Sequence, residues 1–138
     1  YDQLLYCLRL FSQLVPEGST CRARVMSSCG ALGKKCPRWH VDHVPIRLIS
    51  ALEGPGVCYL DGDVDWDRVN VRKELNTDRA NEIIVSSGDV KERQSQRGDV
   101  MVLLGKAWEG DGVKAVVHKS PELRPFQGRV LLTVDVVV

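Results

Sequence analysis

A chain of 138 residues with 19 lysines and arginines against 18 acids carries a formal net charge of +1, which speaks against the basic surface of a nucleic-acid binder. It is one domain's worth of sequence, long enough to bury a core without disulfides. Its apolar runs fall short of a membrane span and no secretory leader is visible, so neither nucleic acid nor membrane is expected as a partner. The first residue is Tyr1 rather than Met, which reads as a fragment of a longer chain, so any targeting segment upstream would lie out of view. Five cysteines, Cys7, Cys21, Cys29, Cys36 and Cys58, are an odd set without repeated spacing. They predict free thiols in an intracellular, reducing compartment, cytoplasm or organelle, rather than a disulfide framework.

From residue 2 to 15 the apolar positions Leu4, Cys7, Leu8, Phe11, Leu14 and Val15 recur at helical spacing, predicting an amphipathic helix stopped by Pro16 and Gly18. Such a stripe needs a surface, and the outside of a sheet is the expected one. Cys21, Ala23 and Val25 alternate with Arg22, Arg24 and Met26, the period of a half-buried strand. Gly30, Gly33, Lys34 and Lys35 read as a solvated basic loop. Their glycine spacing, and the lack of Ser or Thr after the lysine, exclude a phosphate loop. Residues 46 to 52 predict an apolar strand closed by a turn at Gly54, Pro55 and Gly56, and residues 57 to 60 a short partner strand. Asp61, Asp63, Asp65 and Asp67 invite a calcium reading, but Arg68 stands where the sharp turn of such a loop needs glycine. A solvated acidic loop is expected instead.

Residues 68 to 97 are charged throughout and predict a short helix over 69 to 75 and a strand over 82 to 86 around Ile83, Ile84 and Val85. Strands follow at 100 to 104, 114 to 118 and 128 to 136, separated by a loop from Trp108 to Gly112 and a break at Ser120 and Pro121. One helix followed by seven or eight short strands predicts a mainly β fold in a single domain over 1–138. The expected form is a double-stranded β-helix, or jelly roll, with a flatter β-sandwich as the alternative.

The stretch from Cys36 to Pro45 concentrates the chemistry, with Cys36, His40, Asp42 and His43 close together. Side chains alternate along a strand, so His40 and Asp42 face one way and His43 the other. The third histidine of the chain is His118. In a jelly roll, strands remote in sequence meet across the interior, so His40, Asp42 and His118 can converge as a 2-His-1-carboxylate metal face with open positions. Arg129 begins the last strand, where an inward guanidinium could hold a carboxylate in two parallel hydrogen bonds. Thr133 shares its face by alternation and could add a third bond. Tyr59 is a candidate for the pocket rim, while Trp39 and Trp108 read as core or rim aromatics.

His-x-Asp, then Gly-Asp before an apolar strand, then His118 and Arg129, resembles the Fe(II)- and 2-oxoglutarate-dependent oxygenases of the cupin-like superfamily. That resemblance implies iron at His40, Asp42 and His118, and the far carboxylate of 2-oxoglutarate at Arg129, with a small-molecule or peptide substrate left unidentified. The motifs Arg-Trp-His-Val-Asp, Gly-Pro-Gly, Gly-Asp-Val, Val-His-Lys-Ser-Pro and Arg-Val-Leu-Leu-Thr-Val-Asp resemble, over about residues 30 to 136, a domain-of-unknown-function family. Members occur in bacteria and some photosynthetic eukaryotes, the bacterial ones often among genes for zinc limitation, which implies that the metal could be zinc.

Two other readings compete. Cys29, Cys36, His40 and His43 could form a closed Cys2His2 zinc site. Against it, the two histidines face apart in a regular strand, and Cys36 to His40 spans about 13 Å of extended chain unless Pro37 bends it. Cys36 therefore stands as a candidate fourth ligand, and His40, Asp42 and His118 could equally hold zinc for binding, sensing or hydrolysis. In the metal-free reading the histidines are hydrogen-bonded structural residues of a binding domain, and Asp42 orients His40.

Overall fold

In the computed structural model, which describes residues 1–30, 35–71, 73–108, 110 and 112–137, the amphipathic N-terminal stretch is helix α1, Asp2–Leu14. It buries Cys7 and Phe11. Seven strands follow: β1 (Cys21–Cys29), β2 (Ile46–Glu53), β3 (Cys58–Gly62), β4 (Val90–Gln94), β5 (Val100–Leu104), β6 (His118–Lys119) and β7 (Gly128–Val136), with helix α2 (Thr77–Ser86) between β3 and β4. The fold is mainly β. One sheet runs β1-β7-β2-β5 and the other β4-β3-β6, with every pairing antiparallel. Among the described residues no ladder joins the two sheets into a closed barrel, and no helix is long and apolar enough to cross a membrane.

Strand alternation gives the four-stranded sheet two different faces. Leu48, Leu132 and Val134 pack with Ile46 against Cys7 and Phe11 of α1. The opposite face carries Arg47 and Ile49 of β2, and Arg129, Leu131, Thr133 and Asp135 of β7. There Ile49, Ala51 and Leu131 cluster with Val57 and Leu103. A third apolar group, Trp39, Leu60, Ile84 and Val117, joins the small sheet to α2. Phe11 is 1% exposed, and truncating it to alanine should cost about 3–5 kcal/mol, read as a lower urea midpoint with an unchanged slope.

The pairings are nested. The first and last strands pair, β1 with β7. Inside them His40 bridges to His118, then β2 pairs with β5, and innermost β3 pairs with β4. The turn after β2 closes without room for a side chain. A Cβ on Gly54, whose φ is +76°, would lie 2.3 Å from the Gly128 carbonyl oxygen, and one on Gly56 would lie 2.1 Å from that of Ser95.

Three local expectations need correction. Residues 82 to 86, expected as a strand, are the second half of α2. Asn76 caps that helix by accepting from the Arg79 amide at 2.9 Å, and only Ala80 and Ile84, one helical turn apart, are buried in it. Three consecutive β-branched residues imitate a strand, but here the cap and the turn-spaced contacts decide the conformation. The described part of residues 69 to 75 is irregular, with a single turn residue at Lys73, rather than a helix. An unexpected strand, β4, forms from charged sequence at the edge of the small sheet, where charges protect the open backbone from further pairing. Over 114 to 118 only His118 belongs to a strand. The expected loops at Gly33 and Lys34, and at Glu109 and Asp111, fall partly outside the described residues.

Candidate metal centre

His40 and His118 are brought together by one rung of backbone pairing. The His40 amide donates to the His118 carbonyl at 3.0 Å and the His118 amide to that of His40 at 2.9 Å. Directly opposed residues of an antiparallel rung project to the same side, and the ring centroids lie 4.5 Å apart. Asp42, two positions on, points the same way. Its carboxylate oxygens lie 3.7 Å from His40 Nε2 and 3.3 Å from His118 Nε2. One ligand atom from each of the three residues lies within 4.8 Å of the others, and this is the only such group of His, Cys, Asp or Glu among the described residues.

The hydrogen bonds around the trio set its donor chemistry. Nδ1 of His40 lies 2.8 Å from the Arg38 carbonyl and Nδ1 of His118 lies 3.1 Å from that of Val116. A carbonyl can only accept, so each Nδ1 carries a proton, which leaves Nε2 as the ring atom that faces Asp42 in both histidines. Arg47 donates from Nη1 to Asp42 Oδ2 at 2.7 Å. Two nitrogens and one carboxylate oxygen, with backbone carbonyls orienting the imidazoles, could hold a divalent metal with positions left open.

Burial, the largest influence, pushes His40 below the usual histidine value, helped by the charges of His118 and Arg47 against the Arg38 bond and Asp42. Burial alone would raise the Asp42 carboxyl, but the His118 hydrogen bond and the charges of His118, Arg47 and His40 outweigh it and hold the group low. Both shifts give the same sign. A histidine lowered on folding contributes stability that is lost once pH drops below the unfolded value, because the unfolded chain takes up the proton first. A lowered carboxyl contributes stability that is lost as pH falls through its folded value. Urea midpoints should therefore decline on acidification in two steps, one beginning below about pH 6.5 and one below about pH 3.9. His40→Asn should remove the upper step.

A cavity of about 200 Å³ opens beside the histidines and runs to Arg129 and Thr133. Arg129 is 5% exposed. Its Nε donates to the Pro55 carbonyl at 2.8 Å, and its Nη1 lies 3.5 Å from Ser120 Oγ. Nη2 is buried with no hydrogen-bond partner among the described residues, as is Thr133 Oγ1. Burial pushes the guanidinium below its usual value, opposed only by the Cys58 thiol. A buried cation and a buried hydroxyl, both incompletely satisfied and lining one cavity, have the chemistry to accept an acidic group.

His40, His118, Arg129 and Thr133 thus line one cavity, with Asp42 held against the two imidazoles. Cys36 borders the cavity but is exposed and stands outside the trio. Cys29 and His43 are exposed too, so the Cys2His2 set is not assembled among the described residues. Trp39 is core and Trp108 is 40% exposed, while Tyr59 stands opposite His118 in the β3–β6 ladder. The aspartates of the acidic loop pair with cations, Asp61 with Arg93, Asp63 with Lys114 and Asp65 with Arg68.

Sequence reasoning missed four supporting residues. Asn81 of α2 accepts from the Trp39 amide at 2.9 Å and donates to the Pro37 carbonyl at 3.1 Å, fixing the segment that delivers His40. Arg47, Asp135 and Arg24 form an ion-paired chain behind Asp42. Arg47 and Asp135 were detectable as charges inside otherwise apolar strands, since such charges are almost always paired.

A family model described as "Protein of unknown function (DUF1826)" matches residues 3–135. The chain belongs to the DUF1826 family. No curated protein and no solved structure matches it. The DUF1826 match takes in α1 as well as the motif-bearing region, so the helix that backs the large sheet is part of the family's domain.

Proposed function

We propose that this DUF1826 protein is a metal-dependent oxygenase of the Fe(II)/2-oxoglutarate type. The observation that carries the reading is the pairing, in one cavity, of two imidazole Nε2 atoms with a buried guanidinium that has an Nη2 to spare. A structural arginine at that depth would be expected to sit against a carboxylate. This one has room for the carboxylate of a ligand.

The nested pairing supports a jelly roll. If the His40 segment is counted as a strand, eight strands pair first with last and so inward, the order made by winding one long hairpin around a core. In such a winding the second and seventh strands are neighbours, as the His40 and His118 segments are here.

Iron(II) with 2-oxoglutarate supplies the oxidising chemistry, in which dioxygen is consumed, the keto acid leaves as succinate and carbon dioxide, and a substrate C–H bond is hydroxylated. The chain's part is binding and orientation. His40 and His118 present Nε2, and Asp42 contributes a negative charge. Arg129 receives the far carboxylate, to which Thr133 adds a hydroxyl. Ile49, Val57 and Leu131 give the cavity apolar walls, which exclude water and strengthen the charge pairing inside.

Elemental analysis of protein purified without added metal, followed by succinate formation from 2-oxoglutarate, tests the reading. Iron dependence with turnover lost in Arg129→Gln is the expected result. Stoichiometric zinc lost in His118→Ala, with no 2-oxoglutarate consumption, would move the function to zinc binding. Absence of any metal dependence would leave a metal-free binding domain.

A further inference from the structure

We propose that Arg47 is the positioning residue of this centre. It ties up one oxygen of Asp42 so that the carboxylate meets the metal through the other alone. The inference rests on the metal-centre reading above.

Arg47 stands directly opposite Asp135 in the β2–β7 ladder. Its Nε donates to Asp135 Oδ1, and its Nη2 donates to Oδ2 at 2.9 Å. Its Nη1 reaches the other way, to Asp42 Oδ2 at 2.7 Å. Arg24 of β1 holds Asp135 from the far side. Two guanidiniums and two carboxylates alternate, so the charges cancel along the chain. Asp135 and Asp42 are 6% and 12% exposed and Arg47 is 17% exposed, which makes these among the less screened ion pairs of the protein.

A carboxylate can hold a metal with one oxygen or chelate it with both, and chelation uses up a position that a co-substrate needs. Asp42 Oδ2 is engaged by the Arg47 donor at 2.7 Å and lies 3.3 Å from His118 Nε2, while Oδ1, which has no hydrogen-bond partner among the described residues, lies 3.7 Å from His40 Nε2. The fork of Arg47 is rigid and planar, and its opposite edge is clamped by Asp135. It therefore fixes the rotation of the Asp42 carboxylate as well as its charge. Lysine, a point charge on a flexible stem, could reach one carboxylate but could not hold two in register.

Cobalt(II) is the probe, because its visible absorption reports coordination number as well as binding. In the full chain, Arg47→Met should weaken cobalt binding about 10- to 100-fold, the usual effect of losing a group that orients a ligand. It should also shift and change the intensity of the bands as Asp42 becomes free to chelate. Arg47→Lys should restore little of either, and Asp135→Asn, which keeps Arg47 but frees its far edge, should move the spectrum in the same direction. Asp135→Asn also serves as the test should Arg47→Met fail to fold, as judged by far-UV circular dichroism. If the native protein binds cobalt in a His118-dependent way while Arg47→Met or Asp135→Asn keeps its spectrum and affinity, the positioning role is overturned and the centre stands. Full rescue by Arg47→Lys overturns it too, because charge alone would then suffice. Cobalt binding that is absent, or indifferent to His118→Ala, overturns both the centre and the role of Arg47.

Discussion

Arg129→Met should make the ligand-free protein more stable while weakening 2-oxoglutarate binding. The native side chain keeps a cation in the interior at 5% exposure with Nη2 unpartnered among the described residues, and replacing buried charge with apolar volume is commonly worth about 1–4 kcal/mol of stability. Against that stands roughly 1 kcal/mol for the lost bond to Pro55, so a modest net rise in the urea midpoint is expected. Affinity should move the other way. Removing a buried charged hydrogen-bond partner costs about 2–5 kcal/mol, between roughly thirty- and several thousand-fold in Kd. Calorimetric titration and denaturation of the same two proteins measure both. A residue placed for architecture alone would lose stability on substitution and leave ligand affinity unchanged, which would sink the carboxylate receptor.

His118→Ala should remove metal binding more completely than any other single change. His118 is the most buried of the three candidate ligands, at 5% side-chain exposure against 12% for Asp42 and 32% for His40, and its ring sits beside both others. Loss of a ligand should exceed the 10- to 100-fold penalty typical of an orienting partner. In the native protein, metal at about one hundred times Kd should add about 2.7 kcal/mol to the unfolding free energy, and in His118→Ala that increment should vanish. The metal-free variant should itself be weaker by about 1–3 kcal/mol, because the Val116 carbonyl and Asp42 both lose a neighbour. An undiminished metal-dependent increment in the variant would remove His118 from the centre.

What could be read from the residues follows from how local each signal is. The helical spacing of Leu4, Cys7, Leu8 and Phe11 and the β-branched run of β7 carry their own periods, and α1 and β7 form where expected. The trio was legible because His-x-Asp fixes a common side by alternation and only three histidines exist in the chain. Helix α2 was misread because Ile83, Ile84 and Val85 are adjacent, and adjacency carries no period. Its decisive features are the Asn76 cap and the burial of Ala80 and Ile84, the latter packed with Trp39 and Leu60. Asn81 was invisible for a similar reason, since both of its bonds go to backbone more than forty positions away. Arg47 sat in plain view within an apolar strand, but its partner at Asp135 is set by sheet order, which alternation within one strand does not give.

Strand β7 sends Arg129, Leu131, Thr133 and Asp135 to one side and Leu132 and Val134 to the other, where they meet Phe11. A single amino acid inserted or deleted midway along it would drive part of that charge under the helix and turn oil toward the ligand. Folding and the proposed site would then fail in one event. Length variation among DUF1826 sequences should therefore be confined to connecting segments, with this strand keeping one invariant frame.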